Sequence, residues 1–311
     1  MEKTKIVVIG SSNTDMVVKV PHIPAPGETI MGTDFMTIPG GKGANQAVAA
    51  ARAGADVTFI TCVSDDAFGK QAIENYRKEG IDTSCIKVQP GIYSGVALIN
   101  VADDGENSIS VAPGANSYLL PEDIYGFEEI FEGAKIVLAQ LEVPLETVEM
   151  AAETAYMKGI PFILNPAPGA AIPESLLSKV TIITPNETEA AIITSRENFS
   201  EKNIPKMADE IFDKSSTTVL LTLGSKGVYL KTFDFEEMIQ GYKVKAVDTT
   251  AAGDVFNGAL AAALAGEMEL KKAVDFAQRA AAISVTRMGA QPSAPNLDEV
   301  QHFPFLNLKE T

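Results

Sequence analysis

Six short runs of β-branched and aliphatic residues, "KIVVIG", "VTFITCV", "KIVLAQLE", "PFILNP", "TIITPN" and "TVLLTLG", constrain this chain more than any other feature. A strand with one wet face alternates apolar and polar residues. These runs are continuously apolar and end on turn residues, the pattern of strands buried on both faces of a parallel sheet. Parallel neighbours need long crossovers, usually helical, and helix-like segments lie between the runs. "DDAFGKQAIENYRKEG", "PLETVEMAAETAYMKG" and residues 200–214 open on acidic or prolyl residues or soon after them, and the first two close on Gly80 and Gly159. Strand and helix in alternation predict a layered α/β fold.

Residues 14–38, with "MVVKV" and "ETIMGTDFMTI", and residues 92–112, with "YSGVALINV" and "NSISV", break this rhythm and read as hairpin strands. Each is flanked by segments of the main sheet, so the two insertions can meet as a small sheet over its edge. That is a lid, which suits group transfer, where water competes with the intended acceptor.

With 311 residues, 46% of them hydrophobic, the chain can build a large core. Its formal net charge of −16 repels a nucleic-acid backbone or an anionic membrane and disfavours both as partners, but leaves anionic small substrates open. Cys62 and Cys85 are too few and too dispersed for a disulfide scaffold or a cysteine-rich metal site. The N-terminal apolar run, Ile6 to Ile9, is far shorter than a signal-peptide core, and Ala259 to Ala265 is far too short to span a bilayer. A soluble, cytoplasmic protein without a membrane partner is expected.

Polar and glycine-rich residues follow several of the strand runs, where α/β sheets place their ligands. Asn13 and Asp15 follow the first, and Glu142 follows "IVLAQL"; turn formation and helix initiation are the bland alternatives. Side chains of these types, converging from several strand ends, accept or donate in the fixed directions that sugar hydroxyls require. "GGKGAN", residues 40–45, permits close backbone approach at Gly41, offers donors at Lys42 and Asn45, and leads into the alanine-rich segment 47–53. It has neither Walker spacing nor, with "GSSN" after the first strand, a dinucleotide fingerprint. "TPNETEA" sets Asn186 and Glu189 three apart, as a capping box or as outer-sphere contacts to a hydrated Mg²⁺. In "TLGSKG", Thr222 and Gly224 can approach nucleotide phosphates or merely form a turn. "VDTTAAGDVFNG" opens an alanine-rich helix with Asp248 and Asp254 around tiny residues. Asp254 reads as a helix cap or as a proton acceptor beside anion-binding amides.

"GGKGANQAVAAARAG" together with "DTTAAGDVFNGAL" closely resembles the two signature regions of the ribokinase-like, or pfkB, carbohydrate kinase family. "GSSNTD", "PAPGET" and "TRMGAQPS" are similar to its ribose-phosphorylating members, and the likeness covers essentially the whole chain in order. The resemblance implies one domain over residues 1–311: a three-layer α/β sandwich with a central, mainly parallel sheet and a small β-sheet lid. It also implies transfer of the ATP γ-phosphoryl group to the 5-hydroxyl of D-ribose.

By the same resemblance Asp254 is the general base, and the amides of Ala251, Ala252 and Gly253 stabilise the transferring phosphoryl group. Asn13, Asp15, Gly41, Lys42, Asn45 and Glu142, with Asp254, hold the sugar. Asn186 and Glu189 serve Mg²⁺ and phosphate, and Thr222, Gly224 and Gly227 serve the nucleotide. Gln278 stands near the adenine, where some relatives carry His. Asp248, with Thr250, Ser284, Arg287, Gly289 and Ser293 mostly through backbone oxygens, binds a monovalent cation, usually K⁺. A homodimer through the lid is implied, with Met31 and Met36 as packing residues. A kinase for 2-deoxyribose, fructose or another sugar is the sibling alternative. A catalytically silent sugar or nucleotide sensor on the same fold is the alternative from another class.

Overall fold

The computed structural model describes residues 4–196, 200–215 and 217–303. Among them the chain forms thirteen strands: β1 (Lys5–Ile9), β2 (Asn13–Val20), β3 (Asp34–Gly40), β4 (Asp56–Ser64), β5 (Ile86–Gln89), β6 (Gly95–Ala102), β7 (Asn107–Ala112), β8 (Ile136–Ala139), β9 (Phe162–Leu164), β10 (Ile182–Ile183), β11 (Thr218–Thr222), β12 (Gly227–Lys231) and β13 (Glu236–Gln240). Nine build one sheet in the order β13-β12-β11-β10-β9-β8-β1-β4-β5. From β11 to β5 every pairing is parallel, and β12 and β13 close one edge antiparallel. All six apolar runs lie side by side in the parallel part.

Alternation along these strands divides the core into two layers. Ile6, Val8, Phe59, Leu138 and Leu220 pack with helices Lys42–Arg52, Ala252–Ala265 and Leu270–Ser284. Val7, Ile9, Ile60, Phe162 and Leu221 face the opposite way, toward helices Leu145–Met157 and Ile204–Ser215. Each fully buried aliphatic side chain contributes about 1.5–3 kcal/mol, which is why the strands carry no polar alternation.

The strand order reverses at β1, which pairs with β4 on one side and β8 on the other. The carboxyl ends of β1 and β8 therefore flank the crevice in which such sheets bind ligands. Over that end, Gly258 lets helix Ala252–Ala265 press onto helix Lys42–Arg52. A Cβ at Gly258 would lie 2.4 Å from the Gln46 carbonyl oxygen and 2.7 Å from Ala49 Cβ.

The two expected insertions do meet, as a separate sheet in the order β3-β2-β6-β7. Hairpins β2–β3 and β6–β7 are antiparallel, and β2 joins β6 in parallel. Two local expectations are corrected. In "ETIMGTDFMTI" the strand starts only at Asp34, because Gly27 (φ 84°) turns the chain and Glu28 folds back, its carboxylate accepting from the Ala25 amide at 2.9 Å. In "GGKGAN" the helix starts at Lys42 itself, so Gly40 ends β3, Gly41 caps the helix and Lys42 to Asn45 form its first turn, with no loop before it. No helix among the described residues is long and apolar enough to cross a membrane.

Candidate active site

Helix Lys42–Arg52 has no side-chain cap of its own at Gly41. The acceptor comes from elsewhere: Glu142, three residues beyond β8, takes the Lys42 amide at 3.0 Å and the Ser11 hydroxyl at 2.5 Å, both on Oε2. A carboxylate at a helix N-terminus is favoured by the unpaired amides and the helix dipole. Glu142 thereby ties the end of β8 to the residues after β1. Gly41 makes this junction possible with φ 89° and no side chain, since a Cβ would stand 2.7 Å from the Asn13 amide nitrogen. Asn13 is buried and accepts from Asn116 Nδ2 at 2.7 Å.

Asp15, on β2, extends over Gly40, where a Cβ would be 2.3 Å from both of its carboxylate oxygens. Burial, then the charges of Glu142 and Asp254, push its carboxyl from 3.8 up to about 7, with Lys42 pulling the other way. Lys42 is held above its ordinary value, first by Asp254 and further by Glu142, Glu189 and Asp15, against the opposing effect of burial. Glu189 is also raised, chiefly by burial. Carboxylates from four separate chain segments thus bear electrostatically on one ammonium.

Asp254 lies in the first turn of helix Ala252–Ala265 and is buried. Asn45 Nδ2 donates to its Oδ2 and Gln46 Nε2 to its Oδ1, each at 2.9 Å. Asn45 Oδ1 has no protein partner among the described residues. Ala251 precedes the helix in the left-handed region, with φ 60°. The Ala252 amide turns back to the Thr249 carbonyl at 3.3 Å, so one of the three amides read from the sequence is already engaged. At Gly253 nothing beyond its chain neighbours and its own helix's backbone lies within 4 Å of where a Cβ would stand, which leaves the helix start open to a ligand.

Asn186 and Glu189 form the capping box. The Asn186 amide donates to Glu189 Oε2 at 2.9 Å, Asn186 Nδ2 to Glu189 Oε1 at 3.0 Å, and the Glu189 amide to Asn186 Oδ1 at 2.8 Å. Thr222 bridges to Asn186 and donates its amide to the Pro185 carbonyl at 2.9 Å, aligning the ends of β10 and β11. Gly224 has φ 56° with open space where a side chain would be. Gly227 has a structural reason to lack one, since a Cβ would lie 2.0 Å from the Ile239 carbonyl oxygen. Gln278 is buried, and neither of its amide heavy atoms has a protein partner among the described residues.

Asp248 accepts from the Thr250 amide on Oδ1 and the Gly289 amide on Oδ2, both at 2.9 Å, joining two loops. Burial would push its carboxyl up, but the Thr250 hydroxyl and these two amides outweigh burial and hold it below the usual range. The Ser284 carbonyl accepts from the Arg287 amide at 3.0 Å, the Ser293 hydroxyl donates to the Ala290 carbonyl at 2.7 Å, and the Arg287 guanidinium pairs with Glu299. No cluster of three or more His, Cys, Asp or Glu fit to cage a metal exists among the described residues.

Several residues around Asp254 escape sequence reasoning. Gln46 also donates to Asn165 Oδ1 at 3.0 Å and accepts from Gln140 Nε2 at 2.7 Å. Asn165 Nδ2 reaches the Thr184 carbonyl at 3.3 Å, the Thr184 hydroxyl donates to Asn257 Oδ1 at 2.6 Å, and Asn257 Nδ2 donates to the Gly253 carbonyl at 2.8 Å. The one available signal is position: Gln140 and Asn165 each follow the last residue of a strand, the kind of place that also singles out Asn13 and Glu142.

A family model described as pfkB family carbohydrate kinase matches residues 3–297. A ribokinase of Haemophilus influenzae is 46% identical over 303 residues, covering 97% of this chain and 99% of that protein. A deoxyribokinase of Salmonella typhi is 39% identical over 307 residues, covering 97% and 99%. Among solved structures, Arabidopsis thaliana ribokinase complexed with ribose and ATP superposes with a TM-score of 0.90 at 31% identity, over 97% of this chain and 98% of that one.

Proposed function

The chain belongs to the pfkB family of carbohydrate kinases, and we propose that it is an ATP-dependent ribokinase, converting D-ribose to ribose 5-phosphate. The observation that carries this reading is the Asp254 carboxylate, oriented by Asn45 and Gln46 at an open helix N-terminus within the cluster of Lys42, Asp15 and Glu142. A relative 46% identical over nearly the full length is a ribokinase.

In this mechanism Asn13, Asp15, Gly41, Lys42, Asn45 and Glu142 hold the sugar hydroxyls. Asp254 removes the 5-hydroxyl proton as that oxygen bonds to the γ-phosphorus, and the electron pair of the breaking bond leaves with ADP. Amides at Ala251 and Gly253 meet the charge on the transferring group, while the Ala252 amide, expected to join them, is turned to the Thr249 carbonyl. Thr222, Gly224, Gly227 and Gln278 line the nucleotide, and the unpaired Gln278 amide can both donate to and accept from a base edge.

Because both Glu189 oxygens are already bonded, Asn186 and Glu189 suit a hydrated Mg²⁺ held through water rather than direct ligation. When bound, the ion supplies charge neutralisation at the phosphate oxygens. Asp248, with carbonyls of Thr250, Ser284, Arg287, Gly289 and Ser293, has the hard oxygen chemistry of a K⁺ site. The ordering of its two loops by Asp248 supports that assignment.

The small sheet serves as the lid and as the face of a homodimer. Exposed Phe35, Leu98, Ile109 and Val111, together with Met31, support this. Two buried free cysteines and an ATP co-substrate support a cytoplasmic setting.

The Salmonella typhi deoxyribokinase, at 39% identity, favours a second reading as a 2-deoxyribose kinase, which differs by one substrate hydroxyl. ATP consumption with Mg²⁺ and K⁺ is measured against D-ribose, 2-deoxyribose, fructose, adenosine and no acceptor. A clear kcat/KM preference for ribose is expected. Preference for another acceptor moves the specificity, and no turnover with any acceptor overturns the kinase reading in favour of a sensor.

A further inference from the structure

We propose that Gln46 is a positioning residue for Asp254, and that Gln140 supports it by donating to the far end of the Gln46 amide. This rests on Asp254 being the base.

Gln46 is fully buried in a helix otherwise rich in alanine. Both ends of its amide are engaged. Both Nε2 hydrogens are used, toward Asp254 Oδ1 at 2.9 Å and Asn165 Oδ1 at 3.0 Å, and Oε1 accepts from Gln140 at 2.7 Å. A half-turn of the amide would set Oε1 against two oxygen acceptors and Nε2 against the Gln140 donor. At least the two contacts to acceptors would become repulsive. Asp254 Oδ1 and Asn165 Oδ1 therefore select the Nε2 end of Gln46, and Gln140 supports the amide from behind without touching Asp254.

Room for Gln140 comes from Gly10, where a Cβ would stand 2.0 Å from Gln140 Oε1. That oxygen has no partner among the described residues, so the arrangement retains an unsatisfied buried acceptor, normally a liability. Packing alone does not account for that cost, since an apolar residue of similar volume would fill the same space.

The consequence for Asp254 is geometric. With Asn45 on Oδ2 and Gln46 on Oδ1, the carboxylate plane cannot rotate, and the lone pairs left over keep one direction. The network also closes on itself: from Gln46 it runs through Asn165, Thr184 and Asn257 to the carbonyl of Gly253, the residue before Asp254. Side chain and backbone of the proton acceptor are thus held by one set of hydrogen bonds. Small misplacements of a reacting group cost rate rather than affinity.

Steady-state kinetics with ribose and ATP separate this role from a structural one, using Asp254→Asn, Gln46→Met, Gln140→Met and the Gln46→Met/Gln140→Met double variant, each with its Tm. Gln46→Met is expected to lower kcat by about tenfold to a hundredfold, the range for a hydrogen bond to a charged group, with both KM values within about twofold of wild type. Gln140→Met is expected to lose less, about threefold to tenfold. The double variant should be no worse than Gln46→Met alone, because Gln140 acts only through Gln46.

A wild-type kcat in Gln46→Met, a loss confined to KM, or multiplicative losses in the double variant overturns the proposal. Should Gln46→Met fail to fold, Gln46→Glu keeps the shape but cannot donate when ionised, and the same loss is expected at pH 8. Turnover surviving in Asp254→Asn would instead sink the base assignment. An inactive Asp254→Asn beside a fully active Gln46→Met would sink the positioning role alone.

Discussion

Replacing Asp15 with Asn is expected to stabilise the ligand-free protein at pH 8 and to leave it about 1 kcal/mol less stable than wild type at pH 5. In the folded chain, burial and the charges of Glu142 and Asp254 lift this carboxyl from 3.8 to about 7. In the unfolded chain it titrates near its ordinary value. Between those two values the folded protein holds a proton that the unfolded chain has released. The stability this group contributes is therefore intact below the unfolded value and is lost as pH rises through about 7. The full rise corresponds to about 4 kcal/mol. Asn keeps the cost of burying a polar group, so recovery of about 1–2 kcal/mol at pH 8 is expected, or roughly 2–6 °C in Tm. Thermal unfolding of both proteins without ligands, from pH 5 to pH 8, measures it. An equal Tm difference at every pH, or a lower Tm for the variant at pH 8, refutes the reasoning. The same carboxylate accepts from the sugar in the proposed site, and hydroxyl donors favour its charged form. Ribose affinity of the wild type should accordingly improve from pH 6 to pH 8, and Asp15→Asn should lose that dependence.

Asp254→Asn should lower kcat by about a hundredfold to ten-thousandfold while calorimetry still detects ATP and ribose binding; near-normal turnover would refute the base assignment. Turnover should be faster in K⁺ than in Na⁺ at matched ionic strength, and equal rates in K⁺, Na⁺ and a bulky organic cation would contradict a cation site at Asp248. Gly258→Ala places a methyl where Gln46 and Ala49 already stand. It should cost about 1–3 kcal/mol of stability and reduce kcat as Asn45 and Gln46 draw away from Asp254; a wild-type Tm and kcat would show that the two helices tolerate separation.

What the sequence revealed of the fold follows burial. The six parallel strands are covered on both faces, and burial on both faces is what a short, continuously apolar run between turn residues requires. β5, "IKVQ", lies at a sheet edge and is only partly buried, and β13, "EEMIQ", opens on two exposed glutamates, so neither carries that signature. Where the strand in "ETIMGTDFMTI" begins depends on a turn at Gly27 and on Glu28 folding back, which composition does not encode.

The site divides along a different line. Asp254, Glu142, Lys42 and Asn45 stand at strand ends or helix starts, where polar side chains need a reason, and sequence reasoning finds them. Gln46 sits one residue further into its helix, where an amide among alanines reads as a solvent-facing position. Its burial arises only because Gly258 admits the second helix, and its partner Asp254 lies 208 positions away. Glu142 shows the reverse: legible as a carboxylate, it reads locally as a ligand or the start of the next helix, yet it caps a helix 100 positions earlier. Charge can be located from local pattern because it must face a ligand, a partner or water. Which way a neutral amide points is decided by its neighbours in space, and for Gln46 these are the acceptors Asp254 and Asn165, with the Gln140 donor behind.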